Sequence, residues 1–286
     1  MGLKTAPETV PGSLEISEEE FQTIRKLVYD NFGINLTEQK RSLVVGRLQK
    51  VIRTRKLSGF PAYLDWLQND KTGEALEELA NRISTNHTFF WRENTHFQHF
   101  AEVTLPEIAA RRRREGGRVR IWCAGCSSGE EPYTLVMLMK ETFGADYGAL
   151  KPLLLATDIS ATALSTAMAA VYTDERLKQM PDTYRRKYFR KGPQAGTWQV
   201  TDEIRNEVVY RRHNLMNTTF PFKHAFDAVF CRNVMIYFDR ETRDALVGRF
   251  HRHTVSGGYL FIGHSETLGR ESEHYEYVLP AAYRSK

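Results

Sequence analysis

Apolar positions along the chain fall into two regimes. Up to Ile83 they recur every three or four residues: Phe21, Ile24, Leu27 and Val28 in a run stopped by Gly33, then Val44, Leu48, Val51 and Ile52 in a run starting after Thr37. Leu76, Leu79, Ala80 and Ile83 continue the pattern within 73–83, with a further short helix near 61–69. That spacing gathers apolar side chains onto one stripe of each helix and predicts a small all-helical domain over 14–83. Ser17 followed by Glu20 is a capping box at its start. From 118 the pattern changes to short continuous apolar runs: VRIWCAG, LLLATDIS, AFDAVFCRNVMIYF and GGYLFIGHS. Helix-length segments such as PYTLVMLMKETF separate them. Buried strands alternating with helices predict an α/β domain over 118–286, built on a parallel sheet with right-handed crossovers.

Three stretches fit neither regime. Residues 1–13, with two prolines and two glycines, read as a disordered tail. Residues 84–117 read as a linker: STNHTFFWRE breaks the helical period, and a long helix then runs to Arg114 and stops at Gly116-Gly117. Within 118–286, a Gly-Pro…Ala-Gly turn flanked by Trp198, Val200, Val208 and Val209 predicts an antiparallel β insertion at about 188–213.

Composition narrows the class. Hydrophobic residues make up 41% of 286, and 19 glycines bring the apolar share near that of globular proteins, which excludes a mainly disordered chain. No run approaches the ~18–20 apolar residues of a membrane span. The N-terminus lacks the apolar core of a signal peptide, and three cysteines make no disulfide framework, so a cytoplasmic protein is expected. Charge is informative by location. Residues 38–57 hold seven basic residues against Glu38, and Arg47, Lys50 and Arg53 lie three apart opposite the apolar stripe. An acidic protein surface or nucleic acid would suit that face. Arg111 to Arg114 read as a solvated helix face.

Candidate chemistry centres on Trp122-Cys123-Ala124-Gly125-Cys126-Ser127-Ser128-Gly129-Glu130-Glu131, where the first strand turns into a helix. Such a turn is either an ordinary strand–helix junction or a crevice that lets a ligand approach the backbone. It matches neither G-x-G-x-x-G nor a P-loop, and its acids would repel a pyrophosphate, so a cationic or neutral nucleoside fits better. Asp158, ending the second strand, is either a helix N-cap or an acceptor for a ribose diol, and beside the glycine turn the ribose role is favoured. Cys123 and Cys126 form a lone C-x-x-C with no second pair, and His264 has no metal spacing, so no metal is expected.

The chain resembles the chemotaxis receptor glutamate O-methyltransferases, the CheR family. Matching stretches are Ser84 to Glu93 (STNHTFFWRE), Ala124 to Tyr133 (AGCSSGEEPY), Ala156 to Ile159 (ATDI), Phe226 to Phe238 (FDAVFCRNVMIYF) and Gly263 to Glu266 (GHSE). The resemblance implies a Rossmann-like class I methyltransferase sheet behind a helical domain, with S-adenosylmethionine as cofactor and S-adenosylhomocysteine as product. It implies that Asn86, Thr88 and Arg92 cover the cofactor and face the substrate. Glu131 would hold the methionine end, Asp158 the ribose, Asn214-Leu215 the adenine and Arg232-Asn233 the methionine side, with Tyr237 near the reacting methyl. A glutamate acceptor, ionised at neutral pH, needs no general base, so Arg92 is assigned a positioning role and Tyr237 an aligning hydrogen bond. The implied partners are the methylation helices of chemoreceptors, met by Arg47, Lys50 and Arg53. The short loop Arg190–Gln199 suggests docking without a C-terminal pentapeptide tether. A monomer is expected, with no nucleic-acid partner and no membrane insertion. The competing readings are a nucleic-acid methyltransferase and a non-catalytic cofactor-sensing adaptor.

Overall fold

The computed structural model describes residues 15–269 and 272–286; the tail read over 1–13 lies outside the described residues. The chain divides into a helical unit ending at Ile83 and a larger unit from Ser84 onward, which also takes in Phe32–Ile34.

In the helical unit the capping box forms as spaced. The Ser17 N–H donates to Glu20 Oε2 (2.7 Å) and the Glu20 N–H to Ser17 Oγ (3.2 Å), opening α1 (Glu18–Phe32). A 3₁₀ turn leads into α2 (Arg41–Thr54), which buries the four residues its periodicity selects, Val44, Leu48, Val51 and Ile52. Helices α3 (Phe60–Asn69) and α4 (Glu74–Ile83) complete the unit. Arg47 donates to the carbonyls of Arg82 (3.3 Å) and Ile83 (2.7 Å), so part of the basic face of α2 satisfies the carbonyl end of α4.

The larger unit begins with the segment read as linker, and here the structure differs. Residues 94–115 form α5 (Asn94–His99), a π turn (Phe100–Thr104) and α6 (Leu105–Glu115). Pro106, which has no N–H to donate, sits where the π turn passes into α6. Phe90, Trp91, Phe97, Phe100, Leu105 and Ile108 are buried in the core of the sheet, so this segment is part of the domain and not a connector. The solvated-face reading of Arg111–Arg114 fails for two of the four. Arg111 (2.5 Å) and Arg112 (2.7 Å) both donate to the fully buried carboxylate of Asp227, which also accepts the Arg120 N–H (2.8 Å). A buried carboxylate needs such partners, and apolar periodicity cannot reveal them.

The sheet strands follow: β1 (Arg120–Ala124), α7 (Glu130–Phe143), the short α8 (Tyr147–Leu150), β2 (Leu153–Asp158) and α9 (Ala161–Ala169). The chain then leaves the main sheet for β3 (Val171–Thr173), α10 (Asp182–Tyr188), β4 (Phe189–Lys191), β5 (Thr197–Val200) and the single turn α11 (Asp202–Arg205). It returns through β6 (Val208–Arg212), β7 (Phe226–Cys231), α12 (Arg240–Arg252), β8 (Thr254–Ile262), β9 (Tyr275–Leu279) and β10 (Ala282–Ser285).

The main sheet has the order β6-β2-β1-β7-β8-β10-β9. The first five strands are mutually parallel, and β10 runs antiparallel to both its neighbours. An antiparallel insertion exists, as β3-β5-β4, but its bounds differ from about 188–213. It takes in Val171–Thr173 upstream, and Val208-Val209 belong to β6, paired parallel with Leu154 and Leu155 of β2. Without β6, the edge of β2 would present unpaired backbone groups. Period two divides the central strands between two cores: Ile121, Cys123, Ala228 and Phe230 on one face, Trp122, Ala124, Val229 and Cys231 on the other.

Candidate functional site

β1 lies between β2 and β7, where the strand order reverses, and the loops leaving the carboxyl ends of these strands diverge. A crevice must open there. It is a cleft of about 1000 Å³, counted to its open mouth, and every residue lining it belongs to the larger unit. Asn86, Thr88, Arg92, Glu131, Asp158, Asn214, Leu215, Arg232, Asn233 and Tyr237 all line it, so the ten residues singled out for cofactor or catalysis are brought together. Arg47, Lys50 and Arg53 lie on α2 of the helical unit and are not among the residues lining the cleft.

The floor is the β1–α7 turn. Gly125 has φ +81°, and a Cβ there would lie 2.4 Å from Val234 Cγ2, so only glycine fits. Asp158 holds the turn: its Oδ2 accepts the Ser127 N–H (2.8 Å) and its Oδ1 the Ser160 N–H (2.9 Å). The helix N-cap itself is Ser160, whose Oγ accepts from Ala163, so Asp158 is not the cap. Burial pushes the Asp158 carboxyl up, and its backbone donors pull the other way. Each oxygen keeps acceptor capacity toward the cleft.

The β7 end presents Arg232 between two acids. Its Nη1 donates to Glu131 Oε2 (2.6 Å) and its Nη2 to Glu93 Oε2 (3.0 Å) and to the Arg92 carbonyl (2.5 Å). Cys123 Sγ lies 3.1 Å from Glu131 Oε1, and burial pushes this thiol up, keeping it a neutral donor. Its place beside the turn therefore owes something to its S–H as well as to small size. Two carboxylates against one guanidinium leave the cluster net negative, the polarity a cationic ligand needs.

Glu93 was not foreseen as a site residue. It accepts from Arg232, from Asn233 Nδ2 (3.1 Å) and from the His264 N–H (3.2 Å), tying the 84–93 segment to the ends of β7 and β8. Burial works to raise its carboxyl, but Arg232 and Asn233 hold it below the usual range. Glu266 was missed as well. Its buried carboxylate accepts the N–H groups of Gly263 (2.5 Å), Ile236 (2.9 Å) and Asn233 (3.1 Å), and so fixes the turn carrying Tyr237. Arg176 is a third: it donates to the Thr88 carbonyl, its own carbonyl accepts the Phe90 N–H (3.1 Å), and it pairs with buried Glu130 (3.2 Å). Glu93 and Glu266 stand inside recognisable motifs, but only the fold shows that each bridges segments distant in sequence.

Arg92 is held through its guanidinium, Nη1 donating to the His87 carbonyl (2.7 Å). Trp91 and Glu93 on either side of it have φ +64° and +56°, and Ser127 and Asn233 in the cleft have +48° and +58°. These four are half of the non-glycine residues with positive φ among those described, and such backbone costs are concentrated where geometry matters. At the β6 end, His213 and Leu215 are buried cleft residues, and His213 Nε2 has no protein partner.

A doubly wound sheet with one reversed strand near its edge, and acids presented to a cleft at its switch point, defines a class I methyltransferase. The residues present fit S-adenosylmethionine: acids for a ribose diol and an ammonium group, net negative charge for a sulfonium, and a half-apolar wall at Leu215 for a purine. The family comparison carries this further. The model of the CheR methyltransferase SAM binding domain matches residues 86–283, and that of the CheR methyltransferase all-alpha domain matches 19–84. The chain belongs to the CheR methyltransferase family, and its cofactor is S-adenosylmethionine. It is 39% identical over 273 residues to the chemotaxis protein methyltransferase of Borreliella burgdorferi, covering 95% of this chain and 96% of that one. It is 36% identical over 257 residues to the chemotaxis protein methyltransferase of Escherichia coli, covering 89% and 86%. No helix among the described residues is long and apolar enough to cross a membrane.

Proposed function

We propose that this protein methylates glutamate side-chain carboxylates on the cytoplasmic domains of chemoreceptors, producing methyl esters in sensory adaptation. The observation that carries the reading is how the acids in and beside the cleft are committed. Asp158 is bonded to two backbone N–H groups, Glu131 to Arg232 and Cys123, and Glu93 to Arg232 and Asn233. Acids so engaged are poor general bases, whereas Arg92 and Tyr237, side chains that carry donor groups, line the same cleft. An acceptor already anionic at neutral pH suits such a site, since it needs orientation and not deprotonation.

The cofactor supplies a methyl group activated by a positively charged sulfur. Asp158 would orient the ribose, Glu131 and the Arg232-Asn233 pair the methionine end, and His213, Asn214 and Leu215 the adenine. Asn86 and Thr88 would close over it. Arg92, anchored on the His87 carbonyl, would align the incoming carboxylate without pairing tightly to the attacking oxygen. Tyr237 would give it a hydrogen bond. Attack brings opposite charges together and cancels them, so exclusion of water and in-line placement contribute more than added charge. Lys50 and Arg53, exposed on α2, would meet the acidic receptor helix and raise the encounter rate, with Arg47 contributing less because it is spent on α4. The turn between β4 and β5 supports docking without a tether, and titration with a receptor C-terminal peptide tests this: micromolar binding contradicts it.

The reaction is tested with methyl-labelled cofactor and a receptor cytoplasmic fragment. Label on the receptor that mild alkali releases as methanol supports the reading. Alkali-stable label on protein, or label in added nucleic acid, overturns it.

A further inference from the structure

One buried nitrogen near the cleft has no role in the proposed chemistry. His96, on α5, is fully buried, and its Nε2 lies 3.0 Å from the Pro280 carbonyl oxygen. A carbonyl only accepts, so Nε2 carries the ring proton and Nδ1 presents a lone pair. That Nδ1 has no hydrogen-bond partner, and it faces Glu93 Oε2 at 3.8 Å. Two electron-rich atoms turned toward each other call for something positive between them. Protonation of the imidazole is one answer, but burial and the nearby Arg232 bring its pKa down to about 4.

A third donor stands beside this pair. His264, after β8, packs edge-on against His96 with ring centroids 4.5 Å apart, and it is exposed, which gives access from solvent. The donor atoms of Glu93, His96 and His264 all lie within 4.8 Å of one another. Two imidazoles and a carboxylate form a set that suits a borderline transition metal such as Zn²⁺, with a fourth position left to solvent. The Pro280 carbonyl on the other ring nitrogen is the outer partner that orients a metal-binding histidine. Glu93 and Glu131 together outweigh the one guanidinium of Arg232, so the surroundings tolerate added positive charge. Sequence spacing could not indicate this group: Glu93 and His96 are three apart, but His264 arrives only through the fold.

We propose that Glu93, His96 through Nδ1, and His264 form a binding site for a divalent transition metal of the Zn²⁺ type, and that its occupancy acts on the cofactor cleft. The link is Glu93, which a bound cation would draw from Arg232 and Asn233, both residues of the cleft wall. The binding half does not depend on which acceptor is methylated.

The test uses the full chain freed of metal by chelation and titrated with Zn²⁺ against a chromophoric competitor. The expected result is one tight equivalent that Mg²⁺ does not displace. The main variant is His264→Ala, because this side chain is exposed, and it should weaken Zn²⁺ by at least about 10-fold. His251→Ala, at the separate His251–His274 stack, should leave the affinity unchanged. Calorimetry with S-adenosylhomocysteine should show weaker binding to the Zn²⁺-loaded wild type and no Zn²⁺ effect in His264→Ala. Equal Zn²⁺ affinity in wild type and His264→Ala, or no tight site, overturns the proposal. Zn²⁺ binding that depends on His264 but leaves S-adenosylhomocysteine affinity untouched overturns its coupling to the cleft.

Discussion

Glu266→Gln separates holding the Tyr237 turn from holding the fold. In the native site Oε2 accepts from Asn233 and Gly263, and Oε1 accepts from Ile236. Glutamine keeps the length but has one carbonyl oxygen, and its NH₂ must face a backbone N–H. With the carbonyl in the Oε2 place, one N–H is orphaned; in the Oε1 place, two are. The first arrangement wins, and the N–H it abandons is that of Ile236, next to Tyr237. A lost hydrogen bond to a charged group costs about 1.5–3 kcal/mol. Some of this is offset because a neutral amide is cheaper to bury than the carboxylate, whose own pKa burial pushes up. The net destabilisation expected from urea unfolding is about 1–2 kcal/mol. Displacing the Tyr237 turn by about 1 Å should lower kcat some 10- to 100-fold. Affinity for S-adenosylhomocysteine should stay within about threefold, since the Asp158 and Glu131 sides are untouched. A variant that loses stability but keeps its kcat would refute the reasoning, leaving Glu266 a purely structural acceptor.

Asp158→Ala should weaken S-adenosylhomocysteine by about 2 kcal/mol in calorimetry, the worth of a charge-assisted ribose contact. Lys50→Glu with Arg53→Glu should leave Tm and cofactor affinity unchanged and raise KM for the receptor fragment, more so at low salt. Arg47→Glu should in addition lower the stability of the helical unit by about 1–2 kcal/mol, because it sets a negative charge at the carbonyl end of α4. Asp227→Ala should cost about 3–5 kcal/mol in chemical denaturation, since it leaves the half-buried Arg111 and Arg112 without their buried carboxylate. For His96, the folded pKa of about 4 lies below the ordinary ~6.5, so the folded protein binds fewer protons than the unfolded chain between the two. Its contribution is full above pH ~6.5 and drains as the pH falls toward 4, by up to about 3 kcal/mol. Measured with chelator present, His96→Gln should show a flatter decline over that window.

The helical unit was legible because its packing is local: the residues that periodicity selects on α2 are those it buries. At the cleft, the glycine turn and Asp158 were legible from the strand ends, whereas its other residues were named only through the resemblance to the CheR family. What escaped was set by contacts distant in sequence. Asp227 captures Arg111 and Arg112 across more than a hundred residues, so a run of four arginines that looks solvated is half structural. Val208-Val209 suit any half-buried strand, and nothing local says that their partner is β2 and not the insertion. Glu93, Glu266 and Arg176 act as clasps between loops, and a carboxylate's role as a clasp has no period to read.

The central claim is that a receptor carboxylate is the methyl acceptor in this cleft. Mass spectrometric location of a deuterated methyl on a receptor cytoplasmic fragment tests it most directly. The account predicts label on glutamate side chains, lost on mild alkali and strongly reduced with Tyr237→Phe. Label confined to nitrogen or sulfur side chains, or deposited in nucleic acid, would contradict it.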